Sequence, residues 1–318
     1  MAPKKIIIDC DPGQDDALAL LLALGSPEDI ELLAVTAVAG NVPLSLTEVN
    51  ARKIVELAGF KDLPVYAGAD RPLLRDLVTA EYVHGKTGLD GVDLPAPSQP
   101  LKDGHAVEAI IDCLRREPEG TVTLCPVGPL TNIALAMRLA PDIVTRIEAI
   151  VLMGGAIGIG NVTPAAEFNI YVDPHAADIV FRSGVPIVMH GLDVTHKALV
   201  TQSRLAAIKA IGTEVSEAVV GLLTFYNKFD QDKGEGQGAP LHDPCAIAYV
   251  MWPELFKGRH CHVEIDFMSE ASLGRTLVDW RGSSEKSANV LAIDEIDADR
   301  FFERLTERLA GLPVKPAS

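Results

Sequence analysis

Apolar runs of strand length alternate with segments of helical period along most of this chain. The runs at 5–10, 32–38, 121–125, 147–153 and 185–190 are continuous enough for strands covered on both faces. Segments 15–24, 45–58, 103–116, 129–139, 174–182, 202–210 and 215–230 repeat apolar residues at helical spacing. This alternation predicts an α/β fold: a mostly parallel central sheet flanked by helices on both faces. Thr131-Asn132 after Gly128-Pro129 marks one strand–turn–helix junction, and Asp173-Pro174 marks a helix start with cap and first-turn proline. Beyond these, 259–294 reads as a small extra strand region near the C-terminus, and 297–310 as a charged terminal helix. Residues 313–318 read as a frayed tail. Segments 67–101 and 231–242 lack a clear period, and loops of that length in a compact domain commonly carry function or motion. No repeat or clean linker interrupts the pattern, so 1–318 reads as one domain.

Composition narrows the partners. The 318 residues are 48% hydrophobic, enough for a large core, and carry a net charge of −16. That charge disfavours nucleic acid and anionic membranes through repulsion, and favours a neutral or cationic small molecule. The five cysteines (Cys10, Cys113, Cys125, Cys245 and Cys261) are odd in number, widely spaced and without a C-x-x-C pair. They read as buried thiols in a reducing compartment, so the chain is expected to be cytoplasmic. Lys4-Lys5 precedes apolar residues, but the aspartates that follow interrupt any signal-peptide core. The apolar run at 17–24 is too short to span a bilayer.

The densest chemistry lies between the first strand and the first helix. Asp9-Cys10-Asp11-Pro12-Gly13-Gln14-Asp15-Asp16 places four carboxylates within eight residues. Mutual repulsion makes this costly unless a cation or polar ligand offsets it. The junction lies at the carboxyl end of a strand, where ligands gather in open α/β sheets. Adjacent helical residues point in different directions, so Asp15 and Asp16 are expected to divide between metal and ligand. Oxygen donors without His or Cys favour calcium or magnesium over zinc. Capping the helix would use one aspartate, and four exceed that need.

Two further motifs stand out. In His242-Asp243-Pro244, Asp243 occupies an N-cap position, and the histidine beside it suits general-acid work. Alone, that motif leaves cap and site equally open. Glu167-Phe168-Asn169, preceded by Gly160-Asn161, offers carboxylate and amide groups suited to a polyol, though it also matches turn chemistry. His84 sits in the first irregular segment, where a lone histidine is ordinarily solvated.

Taken together, these residues resemble the calcium-dependent nucleoside hydrolases of the inosine–uridine-preferring type, from Lys5 to about Leu309. The D-x-D-P-G-x-D-D motif is the most specific part of the likeness. Segment 161–174 and Gly191-Leu192-Asp193-Val194-Thr195-His196-Lys197 look most like the pyrimidine-preferring branch. The resemblance implies hydrolysis of a ribonucleoside to ribose and free base, with a calcium ion. It implies Asp11 as general base and metal ligand, with Asp16, Asp243 and the Val127 carbonyl as further ligands. It places Asp15, Asn41, Asn161, Glu167, Asn169 and Asp243 at the ribose, and His242 and His84 at the leaving base. Residues 225–238 match least, so Phe225, Tyr226, Phe229 and Gln231 are left unassigned on the base side. A homo-oligomer, tetramer or dimer, is also implied. The competing readings are a purine or broad-specificity hydrolase, a D-x-D metal phosphatase, and a non-catalytic calcium- or ribose-binding module. The phosphatase would need a basic residue beside the cluster, and the sequence places none near it.

Overall fold

The computed structural model describes residues 2–232 and 238–312, with only the backbone of 229–232. The expected tail at 313–318 and residues 233–237 of the segment 231–242 lie outside the described residues.

The strands are β1 (Lys4–Cys10), β2 (Ile30–Ala37), β3 (Val65–Ala67), β4 (Val122–Pro126), β5 (Ile147–Met153), β6 (Ile187–His190), β7 (Phe256–Cys261), β8 (Val263–Asp266), β9 (Arg275–Val278) and β10 (Val290–Ile296). The helices are α1 (Gln14–Leu24), α2 (Leu44–Leu57), α3 (Glu81–His84), α4 (Ala106–Arg116), α5 (Thr131–Leu139), α6 (Phe168–Val172), α7 (Pro174–Phe181), α8 (Leu192–Thr195), α9 (Gln202–Lys209), α10 (Glu214–Asp232), α11 (Pro244–Met251) and α12 (Ala298–Ala310).

Eight strands form the main sheet in the order β3-β2-β1-β4-β5-β6-β10-β7. The strands run parallel except β7, which pairs antiparallel with β10. Side chains alternate across β1: Ile6 and Ile8 join the apolar core that holds α1, while Ile7 joins the core of α4, α5 and α7. Every residue of α1 is buried, as an apolar helix enclosed on all sides must be. Among the described residues, no helix is long and apolar enough to cross a membrane.

The region at 259–294 divides differently from the sequence expectation. β8 and β9 do form a separate antiparallel pair, but β7 and β10 complete the main sheet. Sheet membership depends on partners far along the chain, which local apolar patterning does not specify. β3 went unseen for a related reason, since three residues carry too little period to read.

Candidate active site

The sheet reverses its winding between β1 and β4, which are neighbours with β2 on one side and β5 on the other. Crevices at the carboxyl ends of strands beside such a reversal are where α/β folds bind ligands. A cavity of about 690 Å³ opens there, lined among others by Asp15, Asn41, Val127, Asn169 and Asp243.

Asp11 follows β1 directly and is fully buried. Its Oδ2 accepts the Asn41 backbone N–H at 2.7 Å, and Asn41 Nδ2 donates to the Asp11 carbonyl at 3.1 Å. Asp11 Oδ1 is buried without a hydrogen-bond partner. A Cβ on Gly40 or Gly128 would overlap this carboxylate, so both glycines serve as its cradle. The sequence reading missed that role. Both glycines adjoin residues it did single out, but only packing shows what they face.

Asp16 reaches back over the start of α1. Its oxygens accept the backbone N–H groups of Asp11 at 3.1 Å and Gly13 at 2.9 Å, the acidic half of a capping box. The fold-back gives Asp16 a capping role while leaving it in the carboxylate cluster. Asp15, Asp16 and Asp243 each present an oxygen within 4.8 Å of the others, so the two adjacent aspartates converge where the sequence pattern suggested divergence. Asp243 precedes α11, yet its carboxylate makes no capping bond there. Asp9 stands apart from this group. Its Oδ1 takes the Thr36 hydroxyl at 2.6 Å and Asn132 Nδ2 at 2.8 Å.

Burial raises the proton affinity of Asp11, Asp15, Asp16 and Asp243, bringing Asp15 to about 7, and repulsion from Asp16 adds to the effect at Asp11 and Asp15. Among the described residues, no Lys or Arg forms a salt bridge with any of the four. Unpaired buried carboxylates with an orphaned oxygen and all-oxygen chemistry fit a hard divalent cation.

The opposite wall comes from the loop around α6. Asn169 Nδ2 donates to the carbonyls of Val127 at 2.8 Å and Met153 at 3.2 Å, so the amide nitrogen faces the strand ends. Glu167 accepts the N–H groups of Asn169, Ile170 and Gly155, and so acts as the cap of α6 while lining the cavity. Burial pushes its carboxyl up to about 7. Asn161 Oδ1 accepts the Phe168 N–H at 3.0 Å, and Asn161 also lines the cavity. The β8–β9 hairpin braces this wall, because Thr276 Oγ1 bonds both the N–H and the carbonyl of Ala156.

Two histidines line the same cavity. His84 is buried, contrary to the solvated loop histidine its context suggested, and stacks on Tyr226 at 5.7 Å between ring centres. His242 Nδ1 lies 2.7 Å from Thr195 Oγ1. Burial holds both rings well below the usual imidazole pKa. Tyr226 lines the cavity, Phe225 packs by Gly91, and the side chains of Phe229 and Gln231 lie outside the described residues. Asp193, which sequence reasoning did not assign, accepts the Ile157 N–H at 2.5 Å and joins the lining.

Buried carboxylates with amide and carboxylate groups around a cavity, set at the reversal point of a parallel sheet, define the site of an α/β enzyme suited to a hard cation and a small hydroxylated molecule. The chain belongs to the inosine-uridine preferring nucleoside hydrolase family, whose model matches residues 6–303. It is 49% identical over 308 residues to the pyrimidine-specific ribonucleoside hydrolase RihA of Shewanella sp. strain ANA-3, with 96% of each chain covered. It is also 49% identical over 310 residues to an uncharacterized protein of Schizosaccharomyces pombe, covering 97% of this chain and 100% of that one. The solved structure of a purine-preferring ribonucleoside hydrolase from Gardnerella vaginalis matches with a TM-score of 0.91 at 35% identity, over 97% of this chain and 99% of that one.

Proposed function

We propose that this chain is a calcium-dependent, pyrimidine-preferring ribonucleoside hydrolase, releasing ribose and free base from uridine and cytidine. The carrying observation is the convergence of the buried carboxylates of Asp15, Asp16 and Asp243, of which Asp15 and Asp243 line the cavity of about 690 Å³, at the strand end where Asp11 keeps a buried, unpartnered oxygen. The pyrimidine preference rests on the likeness to RihA of Shewanella and on His84 and His242 in the cavity lining.

Asp11, Asp16, Asp243 and the Val127 carbonyl would hold the calcium ion, which supplies Lewis acidity toward water and the ribose diol. Asp11 takes the proton of the attacking water. Asp15 and Asp243 meet ribose hydroxyls from one side, and Asn41, Asn161, Glu167 and Asn169 from the others. The negative carboxylate cluster stabilises the positive charge that develops on the ribosyl ring as the bond to the base breaks. His242 and His84 face the departing base. We read the chain as one domain acting in the cytoplasm as a homo-oligomer, dimer or tetramer; its free, buried cysteines suit that compartment.

Ribose release from uridine, cytidine, inosine, adenosine and deoxyuridine, measured in calcium, tests this reading. Turnover of uridine and cytidine with little from the purines is the expected result. Broad turnover would keep the reaction and remove the base preference. Release from none of them would overturn the proposal.

A further inference from the structure

Gln14, the first residue of α1, is fully buried and spans from the carboxylate turn to His84 at the end of α3. Its Nε2 lies 3.0 Å from the His84 carbonyl oxygen and 3.1 Å from that of Asp90. Carbonyl oxygens only accept, so the amide nitrogen must face them. Rotating the amide by half a turn would set Oε1 against two acceptors and lose both bonds. Oε1 is thereby directed at His84 Nδ1, 2.7 Å away. An amide oxygen carries no proton, so Nδ1 must supply it. In the neutral ring, Nε2 is then left with a lone pair.

The ring is fixed from other directions as well. Tyr226 stacks on it with planes 22° apart, and a Cβ on Gly13 would overlap Nδ1 and Cε1. Nδ1 points to the helix start, and Nε2 is the nitrogen left to serve the cavity that His84 lines.

We propose that Gln14 is a positioning residue that holds His84 as the Nδ1–H tautomer, so that His84 offers the nucleobase a hydrogen-bond acceptor and reads an N–H group on it. The substrate class rests on the function proposed above; the tautomer does not. The two histidines then take different roles. The Thr195 hydroxyl, which donates as readily as it accepts, leaves His242 able to carry its proton on Nε2 and donate to a carbonyl of the departing base. His84 cannot do so. It selects bases bearing a donor, the ring N–H of uracil or the exocyclic amine of cytosine.

Two-bond ¹H–¹⁵N correlation spectra of histidine-labelled protein test this, with the His84 signals assigned by their loss in His84→Gln. The wild type is expected to show protonated Nδ1 and unprotonated Nε2. The acceptor that fixes Nδ1–H in that ring is Gln14 Oε1. Gln14→Met, which removes it, should shift the ring toward Nε2–H and lower kcat/KM for uridine by roughly 10- to 100-fold, as expected when a donor faces a donor. An Nε2–H pattern in the wild type, or an unchanged Nδ1–H pattern in Gln14→Met, would overturn the proposal even if uridine is turned over. An Nδ1–H pattern in a wild type that hydrolyses no nucleoside would instead overturn the substrate and leave the Gln14–His84 relation standing.

Discussion

Asn41 and Asp11 are joined twice: the Asn41 backbone N–H donates to Asp11 Oδ2 at 2.7 Å, and its side-chain amide donates to the Asp11 carbonyl at 3.1 Å. One carboxylate oxygen is thus held in place while the other, Oδ1, is kept buried and without a donor. A carboxylate anchored on one oxygen and unsatisfied on the other is poised to take a proton or a cation.

Asp11→Asn should therefore abolish most of the activity without unfolding the protein. The substituted amide oxygen still accepts the Asn41 N–H but cannot take a proton, so kcat should fall by ~10²–10⁴-fold. Ribose release and the thermal midpoint, measured together, check this. Near-normal turnover would remove Asp11 as the base.

Chelation should cost both activity and stability. Four buried carboxylates without a basic partner repel one another, and a bound cation relieves that repulsion. At calcium 100-fold above its dissociation constant, binding stabilises the fold by about 2.7 kcal/mol. The thermal midpoint should fall in EGTA and recover in calcium, in step with turnover. A midpoint indifferent to chelator would count against a bound metal.

Gly128→Ala and Gly40→Ala should act through Asp11. Either new methyl group would overlap the carboxylate and displace it. A shift of about 1 Å in a reacting group can cost ~10²-fold in rate, so kcat should drop far more than stability. Wild-type kcat in both variants would show that the carboxylate has room to spare.

Asn169→Asp is isosteric but should not be conservative. It removes the two donors that satisfy the Val127 and Met153 carbonyls, and each unsatisfied carbonyl costs about 1–3 kcal/mol. The variant should melt earlier and bind uridine more weakly, while Asn169→Gln should not restore the wild type because its longer arm misplaces the amide. Full activity in Asn169→Asp would contradict this arrangement.

His190 sets a pH dependence of stability. Burial lowers its pKa from 6.5 to about 3. As pH falls below about 6.5, the unfolded chain takes up a proton that the folded protein refuses, and stability declines by about 1.4 kcal/mol per pH unit until the ring protonates in the fold. Urea unfolding between pH 4 and 7 should show a shallower decline in His190→Leu than in the wild type. Parallel curves would assign the acid sensitivity elsewhere.

Local pattern alone determined most of the elements and marked the carboxylate cluster of the candidate site. β1, β5 and α1 are legible because apolar period is a property of neighbouring residues, and a crowd of aspartates at a strand–helix seam is conspicuous in one dimension. The resemblance carried by D-x-D-P-G-x-D-D extended that reading to His242 and Asp243. What the sequence could not decide depends on contacts between distant segments and on side-chain direction. Asp9 looks like part of the acidic cluster but bonds Thr36 and Asn132 inside the fold, because its strand position turns it there. Asp15 and Asp16 converge with Asp243 because Asp16 folds back to cap its own helix. β7 and β10 joined the main sheet through pairings that their own residues do not announce. Gln14 carries no assignment from sequence alone. Only the two carbonyls that orient its amide, at the end of α3 and just beyond it, about seventy residues away, make it the partner of His84. Hydrogen bonds are directional and hydrophobic period is not, so the tertiary structure had to decide which polar groups serve the fold and which face the substrate.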